Sequence, residues 1–536
     1  MNALLVLVAV IIFTCVLLNN ASFRIGMPVL LAFILLGILF GNNGIIPIDM
    51  NIADRENVGD ICTVALIFIM FYGGFGTSWK SAKPIALEAG LLASVGVICT
   101  AALVGVFCHF LLKWGWIEAL LLGSVVSSTD AASVFSIFRS RKLGLKNNTA
   151  PLLEMESGSN DPCSYMLTII MLSLMQGEAS VGHTIWMFFA QLGFGALFGV
   201  LIARVSVEAM KRINFATAGF DSLFLMAVAI ISYALPALVG GNGYLSAYIV
   251  GIVLGNNKFC NKKDMVNFFD GITGLMQVLI FFMLGLLARP ANLGSCVLPA
   301  IAIFLILAVV ARPLPIFAIL TPFRKYGFKQ QTLISFCGLR GAASIVFAIT
   351  ATVGNDALQN DIFNIVFCIV LISIALQGSL LPKVAEKLDM IDPDADVMKT
   401  FSDFSEEVDL QFSEVKIDEA NPWLNHRVMD LNLPKDLLFC QLLRADGSRS
   451  VPNGRSVFKL GDSVIICSKK FKKSSQQIMV TQHVVSDRSV WDGHTVSELP
   501  RTRNQLILIQ RGDRTIIPHG DTVMHSGDVL YVNQSL

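Results

Sequence analysis

The chain has 536 residues, of which 54% are hydrophobic and 15% are charged, and its formal net charge is +1. Soluble domains usually carry about 25% charged residues, so this composition excludes a wholly soluble protein. The near-zero net charge, with no Lys/Arg block, gives no indication of nucleic-acid binding. The eleven Cys residues are scattered singly, without CxxC or Cys/His ligand spacing, which argues against a disulfide framework or a transition-metal site.

Apolar runs dominate residues 1–387, whereas the rest of the chain has the composition of soluble protein. Windows of about 20 apolar residues predict an all-α polytopic membrane domain. The first apolar run lacks the basic start and cleavage site of a signal peptide, so we predict a retained span. The thirteen predicted spans are residues 2–19, 26–41, 58–76, 85–111, 117–138, 150–174, 183–204, 217–239, 243–255, 265–287, 296–320, 330–352 and 362–382.

Basic residues are distributed unevenly between the predicted loops. With the N-terminus outside, fifteen Lys or Arg residues fall in inside loops and three fall in outside loops. Loops rich in Lys and Arg stay in the cytosol. We therefore predict an external N-terminus and a cytosolic C-terminal tail.

The fifth predicted span contains the polar run Ser127-Ser128-Thr129-Asp130-Ala131-Ala132-Ser133. Asp130 lies about 12 Å from the cytosolic end of that span, at about 1.5 Å per residue. A charge at this depth is costly and is a functional candidate. The run predicts a locally unwound helix of the kind that transporters use at their binding sites. The structural alternative is a polar packing seam between helices.

The sixth predicted span begins with an acidic stretch, Glu154-Met155-Glu156-Ser157-Gly158-Ser159-Asn160-Asp161-Pro162. Asp161 lies about 15 Å deep, close to the depth of Asp130 and approached from the same side. Pro162 interrupts the hydrogen-bond ladder and leaves carbonyl groups free. Glu154 falls in the first turn, where a carboxylate stabilises the helix dipole, so we interpret it as structural.

The eleventh and twelfth predicted spans carry Arg312 and Arg340, again near the same depth. Because a buried charge needs a partner, we predict that the two halves of the domain meet there through acid–Arg pairs. The alternative for each Arg alone is a snorkelling or helix-end charge. The fifth and twelfth spans are both interrupted and lie seven spans apart, which indicates an inverted repeat.

At these residues the sequence resembles the cation–proton antiporters, over residues 1–385. The family pattern Glu-Ser-x-x-Asn-Asp stands at residues 156–161, Thr-Asp at 129–130 and Gly-Leu-Arg-Gly-Ala at 338–342. Residues 243–251 also resemble a recurrent family segment. One departure concerns the third span, which reads Phe71-Tyr72-Gly73-Gly74-Phe75 where related exchangers often carry an acid. Selectivity between potassium and sodium stays open.

The resemblance implies a secondary transporter, not an enzyme, that exchanges potassium or sodium for protons across the bacterial inner membrane. Alternating access would take place around Asp161. The Asn-Asp pattern is that of the electroneutral branch, and the chain is most similar to potassium–proton antiporters of the cell-volume-regulation type. The residues implied to bind cation and proton are Asp161, Asn160, Ser157, Asp130 and Thr129.

The resemblance also implies structural contacts around that site. Glu156 would pair with Arg340, and Arg312 would contact Asn160. The family is usually dimeric, so we expect a homodimer in membrane lipid. The transported species are monovalent cations and protons, and no cofactor is expected.

The chemistry of the residues agrees with this reading. Hard alkali cations prefer oxygen ligands, which hydroxyl, carboxylate and carbonyl groups supply. A buried carboxylate such as Asp161 holds either a proton or a metal cation, so competition at one acid is sufficient for obligatory exchange. We predict an alkali cation at Asp161 and no transition metal.

The tail contains an internal repeat of 66 residues, in which Pro452-Asn453-Gly454 matches Pro518-His519-Gly520 and Gly461-Asp462 matches Gly527-Asp528. We predict an acidic linker over 388–405 and two small α+β modules over 406–475 and 476–536. Both modules resemble the C-terminal ligand-binding (RCK-C-like) domains of potassium-transport regulators, which implies a small regulator of nucleotide type. No GxGxxG follows a strand, so no NAD site is predicted. The alternative is a folding or dimerisation cap without ligand.

Three other functions compete with the antiporter hypothesis. A ligand-gated monovalent cation channel would need a continuous pore between repeated subunits. A membrane enzyme would need a nucleophile–base pair or a metal cluster. An organic-anion permease would use Arg312 and Arg340 as anion ligands, which their pairing with acids would prevent.

Overall fold

The computed structural model forms two compact units, residues 1–406 and 407–536, which are considered separately. The first predicted span, residues 2–19, lies outside the described residues except for three positions, and most of the predicted linker also lies outside them. The structure describes residues 13–14, 17, 29–40 and 52–534, with gaps at 142, 178–179, 214–218, 258, 260–261, 289, 354–357, 393–409, 420, 432–436, 446–447, 470–478, 486–490, 499–503, 512–513, 517 and 519.

The first unit is helical, and its helices lie at predicted spans two to thirteen. Eight helical segments in the described part of the chain are long and apolar enough to cross a membrane. The helices are α1 (Val29–Phe40), α2 (Ile52–Gly76), α3 (Trp79–Leu112), α4 (Trp116–Ser127), α5 (Ala131–Ser140), α6 (Thr149–Met175), α7 (Val181–Arg212), α8 (Phe220–Leu238), α9 (Gly243–Gly255), α10 (Lys262–Leu287), α11 (Leu293–Phe323), α12 (Phe328–Phe336), α13 (Ala342–Thr352) and α14 (Ile362–Lys387).

Two of the predicted spans are each divided into two helices. Residues 128–130 separate α4 from α5, and residues 337–341 separate α12 from α13. We call these segments the first break and the second break. The interruptions predicted in the fifth and twelfth spans are therefore present, and both lie where the sequence is rich in Ser, Thr or Gly.

The crossing of α2 and α9 is close enough for the two backbones to touch. Gly74 of α2 packs against the Tyr248 carbonyl of α9, and Gly251 packs against the Phe71 carbonyl. Small residues permit this approach between membrane helices. The Phe71 ring packs on Phe269 of α10, with ring centroids 5.3 Å apart. The segment where relatives often carry an acid is thus occupied by aromatic and glycine packing.

The crossing matters for α6 because α9 also contacts that helix. The ring of Tyr248 lies against Gly158, where a Cβ would overlap it. Asn242, directly before α9, donates from Nδ2 to the Pro162 carbonyl at 2.7 Å, while its Oδ1 accepts from the Leu245 N–H at 3.0 Å. Asn242 thus bonds the start of α9 to α6 at the residue directly after Asp161.

A short antiparallel pairing connects the chain after α14 to the loop between α5 and α6. Strand β1 (Gly144–Leu145) pairs with β2 (Ile391–Asp392). The Lys146 ammonium lies 2.9 Å from the Asp389 carboxylate and lowers the pKa of that carboxyl below its ordinary value, mainly through the hydrogen bond. Met390 is buried against the α5 and α6 side chains between these contacts. We call this set of contacts the loop clamp.

The second unit consists of two antiparallel four-stranded sheets with the same strand order. The first sheet has the order β3-β6-β4-β5 and the second has the order β7-β10-β8-β9, so each strand of one repeat has its equivalent in the other. The strands are β3 (Leu410–Lys416), β4 (Leu437–Leu443), β5 (Arg449–Ser450), β6 (Ser463–Lys469), β7 (Met479–Val484), β8 (Asn504–Arg511), β9 (Arg514–Ile516) and β10 (Val529–Gln534).

Each sheet carries the same ion pair between a buried aspartate and a partly exposed arginine, which accounts for the repeated Asp. Arg444 lies 2.7 Å from Asp462 and Arg511 lies 2.7 Å from Asp528. The Arg511 guanidinium holds the pKa of the Asp528 carboxyl below its usual value. The helices in the described part of this unit are single 3₁₀ turns, so the tail is rich in strands, as its alternation of short apolar runs and turn residues predicts.

The glycine contact between α2 and α9 generates a stability prediction. Gly251→Ala is expected to reduce the free energy of unfolding by about 1–3 kcal/mol, because the new Cβ would overlap the Phe71 carbonyl oxygen and force the helices apart. The measurement is the melting temperature of the detergent-purified protein.

The matched control is Gly193→Ala in α7, where an added Cβ meets no atom within 4 Å. Alanine is the better helix former, so this variant should melt at the wild-type temperature or above it. Equal melting temperatures for Gly251→Ala and the wild type would contradict the close helix crossing.

Candidate functional site

The two breaks cross each other, and a backbone hydrogen bond joins them. The Asp130 N–H of the first break donates to the Leu339 carbonyl of the second at 2.8 Å. Ser128 has an extended conformation, with φ −61° and ψ 142°. Backbone groups that leave a helix in an apolar environment need new partners, and the crossing supplies one pair of them.

Arg340 provides the second connection between the breaks. Its side chain is buried, and its Nη1 donates to the Ser127 carbonyl at 2.9 Å and also to the Ser128 carbonyl. These carbonyls end α4, where the helix dipole presents partial negative charge. The Arg340 N–H is itself held by the Ser373 hydroxyl of α14 at 3.1 Å. A cation at the end of α4 therefore replaces the hydrogen bonds that the first break interrupts.

Helix α6 supplies polar side chains that satisfy the backbone of the first break. The Ser157 hydroxyl donates to the Thr129 carbonyl at 2.7 Å and accepts from the Ala131 N–H at 2.9 Å. Asn160 donates from Nδ2 to the Thr129 hydroxyl at 2.6 Å, and its Oδ1 lies 3.4 Å from the Thr129 N–H. In this conformation, Ser157 and Asn160 therefore hold the break in shape.

Asp130 lies between the N-termini of two helices. Its Oδ1 accepts from the Ser133 N–H at 3.1 Å, which caps α5, and its Oδ2 accepts from the Ser133 hydroxyl. Gly341, at the start of α13, lies against the same carboxylate, where a Cβ would overlap it. Helix N-termini present partial positive charge, so both α5 and α13 stabilise a negative charge at Asp130.

Asp161 is buried, with 9% of its surface exposed, and it faces the first break. Its Oδ1 accepts a hydrogen bond from the Ser128 hydroxyl. Among the described residues, Ser128 is the one hydrogen-bond donor to this carboxylate, and Oδ2 accepts none. Asp161 thus offers a free oxygen at the point where the two breaks cross.

The buried acid Glu156 has a different partner from the one that we predicted. Arg312 donates to it from both Nη atoms, with 2.8 Å between Nη2 and Oε2. The prediction that Glu156 pairs with Arg340 is wrong, and Arg312 contacts Glu156 rather than Asn160. Gly338 lies beside the Arg312 side chain, and a Cβ there would be 2.9 Å from Nε. This glycine leaves room for Arg312 to reach α6, while Arg340 is directed to the first break.

The structure thus brings the eight predicted site residues together around the first break, but with different roles. Asp161 is the acid with a free oxygen, whereas Ser157, Asn160 and Thr129 bond to one another or to the break. Sequence reasoning missed two residues: Ser128, which lies in the polar run but was not assigned to the site, and Asn242, which directly precedes the family-like segment 243–251. The signal that could have identified both residues is their position, since each is a polar residue directly next to a family motif.

The buried Glu156–Arg312 pair generates a prediction. Glu156→Gln is expected to destabilise the protein by about 3–5 kcal/mol, because it leaves the Arg312 guanidinium buried without a counter-charge. The control is Glu208→Gln, which removes an exposed ion pair to Arg212 and should have little effect. The measurement is the melting temperature of both purified variants. Equal melting temperatures for Glu156→Gln and Glu208→Gln would rule out a structural role for the Glu156–Arg312 pair.

Comparison with known proteins identifies the family. Residues 8–387 match the family described as "Sodium/hydrogen exchanger, transmembrane", and residues 480–533 match the TrkA-C domain. The K(+)/H(+) antiporter NhaP of Alkalimonas amylolytica is 32% identical over 473 residues, which cover 87% of this chain and 81% of that protein. The K(+)/H(+) antiporter NhaP2 of Shewanella oneidensis is 33% identical over 392 residues, which cover 72% of this chain and 67% of that protein.

The fold agrees with a solved structure. The sodium proton antiporter MjNhaP1 from Methanocaldococcus jannaschii has a TM-score of 0.63 to this chain at 22% identity, with 72% of this chain and 99% of that chain covered. The fold class and the family resemblance inferred from the motifs are both confirmed. The match over 8–387 contains both breaks and the whole of α6. The chain therefore belongs to the sodium/hydrogen exchanger family of transmembrane proteins, with a TrkA-C domain near its C-terminus.

Proposed function

We propose that this protein exchanges potassium for protons across a bacterial inner membrane, with Asp161 as the shared carboxylate. The observation that carries the proposal is the position of Asp161, which is buried at the crossing of two breaks and has one free oxygen. Two relatives are named K(+)/H(+) antiporters, which supports potassium. Sodium is the second candidate, because a solved protein of the same fold is a sodium proton antiporter.

The charges at the site explain why Asp161 would carry the ions. Glu156 is paired with Arg312. The Asp130 carboxylate is bound by Ser133 at the N-terminus of α5, and Nη1 of Arg340 is bound to two backbone carbonyls. Of the three acids, Asp161 is the one that, among the described residues, keeps a carboxylate oxygen without a hydrogen bond. An uncompensated charge is costly in a membrane, so the carboxylate binds either a proton or an alkali cation before the site changes sides.

The number of titrating groups at the site supports electroneutral exchange. Asn160 is a neutral amide whose hydrogen bonds go to Thr129, so it adds no second titrating group beside Asp161. One carboxylate then carries one cation in one direction and one proton in the other. The movement would be alternating access, in which one bundle shifts relative to the other around a site near the membrane centre.

We further propose that the N-terminus lies outside and the tail lies in the cytosol. The support is the distribution of Lys and Arg between the predicted loops, with fifteen inside and three outside. We also propose a homodimer in the lipid bilayer. Large apolar side chains such as Trp186 and Phe189 of α7 are exposed, which suits contact with lipid or with a second copy. The alternative of a ligand-gated cation channel gains no support from the relatives, which are named as antiporters.

Exchange at Asp161 is the first prediction to test. In inverted membrane vesicles with an imposed pH gradient, potassium chloride is expected to collapse the gradient for the wild type but not for Asp161→Asn. The reason is that the amide neither takes up the proton nor provides a negative charge for the cation. Dye fluorescence reports the gradient, and sodium and lithium chloride are added in parallel to identify the cation.

The control variant is Glu118→Gln. Glu118 is a buried acid of α4 that accepts hydrogen bonds from Asn360 at 2.8 Å. It lies in the first turn of α4, at the opposite end of that helix from the first break, and exchange should persist in this variant. Full exchange by Asp161→Asn, or no cation response in the wild type between about pH 6 and 9, would contradict the proposed function.

We propose that the tail regulates exchange in response to a small ligand of nucleotide type. The second module matches the TrkA-C domain, and the first module has the same strand order, which supports a pair of related modules. The loop clamp gives a physical route to the site, because the chain leaving α14 is joined to the loop between α5 and α6.

Removal of the clamp tests this route. Lys146→Ala is expected to raise the exchange rate about two- to fivefold, because it frees the loop between the two site helices from Asp389. Deletion of residues 400–536 should raise the rate as well, and the combined variant should be no faster than the deletion alone. Lys211→Ala, at the exposed end of α7, is the control. Additive effects of Lys146→Ala and the deletion would show that the clamp and the tail act independently.

A further inference from the structure

Ser128 differs from the other hydroxyl residues around the site. Its side chain is buried, with 2% exposed, and its hydroxyl donates to the Asp161 carboxylate. The Ser157 hydroxyl bonds to backbone groups of the first break. The Ser133 hydroxyl bonds to Asp130, and the Ser164 hydroxyl bonds to a carbonyl of α4. In the part of the chain that the structure describes, Ser128 alone contacts the proposed transport acid by hydrogen bond.

We propose that Ser128 is a positioning residue. Its hydroxyl stabilises the ionised form of Asp161 when neither proton nor cation is bound, and so sets the pH at which a cation displaces the proton. This inference rests on the proposed exchange at Asp161 and adds a specific determinant to it. The family motifs that identify the site do not include this position.

The backbone of Ser128 is fixed on both sides, so the hydroxyl has a defined position. The carbonyls of Ser127 and Ser128 are bound by Arg340, and the next residue, Thr129, is bound by Asn160 and Ser157. Rotation about χ1, which has three staggered positions, is the movement left to the side chain. Ser128 therefore reaches Asp161 without displacement of the break.

A serine hydroxyl suits this role because it is both a donor and an acceptor. As a donor it stabilises the ionised carboxylate and opposes protonation. When an alkali cation binds at the free oxygen of Asp161, the hydroxyl can rotate and present its lone pairs to the cation. The same side chain then favours the two states that exclude the proton, which are the empty ionised carboxylate and the cation-loaded carboxylate.

Other charged or titratable groups face Asp161 from the surrounding elements. They are Asp130 on the first break, Arg340 on the second break and Tyr248 on α9. The Glu156–Arg312 pair lies between α6 and α11. A substitution at Ser128 leaves all of these side chains in place, so a change in pH dependence would report the loss of the hydroxyl.

The test compares Ser128→Ala with Ser128→Thr in the full-length chain. Potassium-driven proton movement is measured in inverted vesicles at several potassium concentrations and at pH values from about 6 to 9. For Ser128→Ala we expect the pH of half-maximal exchange to rise by about one unit, since a hydrogen bond to a charged group changes binding by about tenfold or more. The apparent KM for potassium near pH 7 should rise, and the maximal rate at the alkaline end should be retained.

Ser128→Thr keeps the hydroxyl and is expected to retain the wild-type pH profile. Ser164→Ala removes a buried hydroxyl from the same helix pair, where it bonds to the Ser124 carbonyl at 2.5 Å, and it should also retain that profile. Ser128→Cys keeps the side-chain volume but has only a weak donor, so its profile should shift toward that of Ser128→Ala. This variant provides the measurement if the alanine protein is not produced in folded form.

A merely structural role for Ser128 would give a different result. A rate that falls equally at every pH in Ser128→Ala, with an unchanged profile, would overturn the inference, and so would an equal shift in Ser128→Thr. In either case the wild type would still show exchange that depends on Asp161, so the proposed function would stand. Absence of cation-dependent exchange in the wild type would overturn both.

Discussion

The geometry of the site depends on the hydrogen bonds that one guanidinium donates to the backbone of another helix. An interrupted helix in an apolar environment leaves carbonyl groups without partners, each at a cost of several kcal/mol. Arg340 satisfies the carbonyls of Ser127 and Ser128, and its own N–H is held by Ser373. Because Arg340 lies within the second break, this interaction both permits the first break and joins the two halves of the membrane unit.

The arrangement of charges follows from that interaction. Arg340 is occupied with backbone carbonyls, so the second arginine, Arg312, is left to neutralise Glu156, and its planar fork matches both carboxylate oxygens. Asp130 is stabilised by two helix N-termini. The structure thus fixes four charges by contacts within the protein and leaves Asp161 with a single hydroxyl partner. The proposed exchange at Asp161 rests on this difference between Asp161 and the other four charges.

Much of this could be predicted from the sequence, but the partners could not. Hydropathy placed Asp130, Asp161, Arg312 and Arg340 at one depth because each charge interrupts a long apolar run. Depth does not determine which face of a helix points where, so the choice of Arg312 over Arg340 for Glu156 depended on packing, including the space beside Gly338. Residue type also does not distinguish an ion ligand from a group that satisfies the backbone of a neighbouring helix.

The loop clamp is a second feature that the sequence alone did not predict. The 66-residue repeat predicted two similar modules in the tail, and the common strand order agrees with it, because repeated turn residues impose repeated strand ends. Strands β1 and β2, by contrast, have two residues each, too few to produce a recognisable periodicity. Met390, directly before β2, is buried in the same cluster as side chains of α5 and α6, and neither the repeat nor the periodicity of the sequence predicts that burial. The pairing of β1 with β2 and the Lys146–Asp389 ion pair thus join the loop between α5 and α6 to the chain leaving α14, and these contacts depend on tertiary packing that a local sequence pattern does not encode.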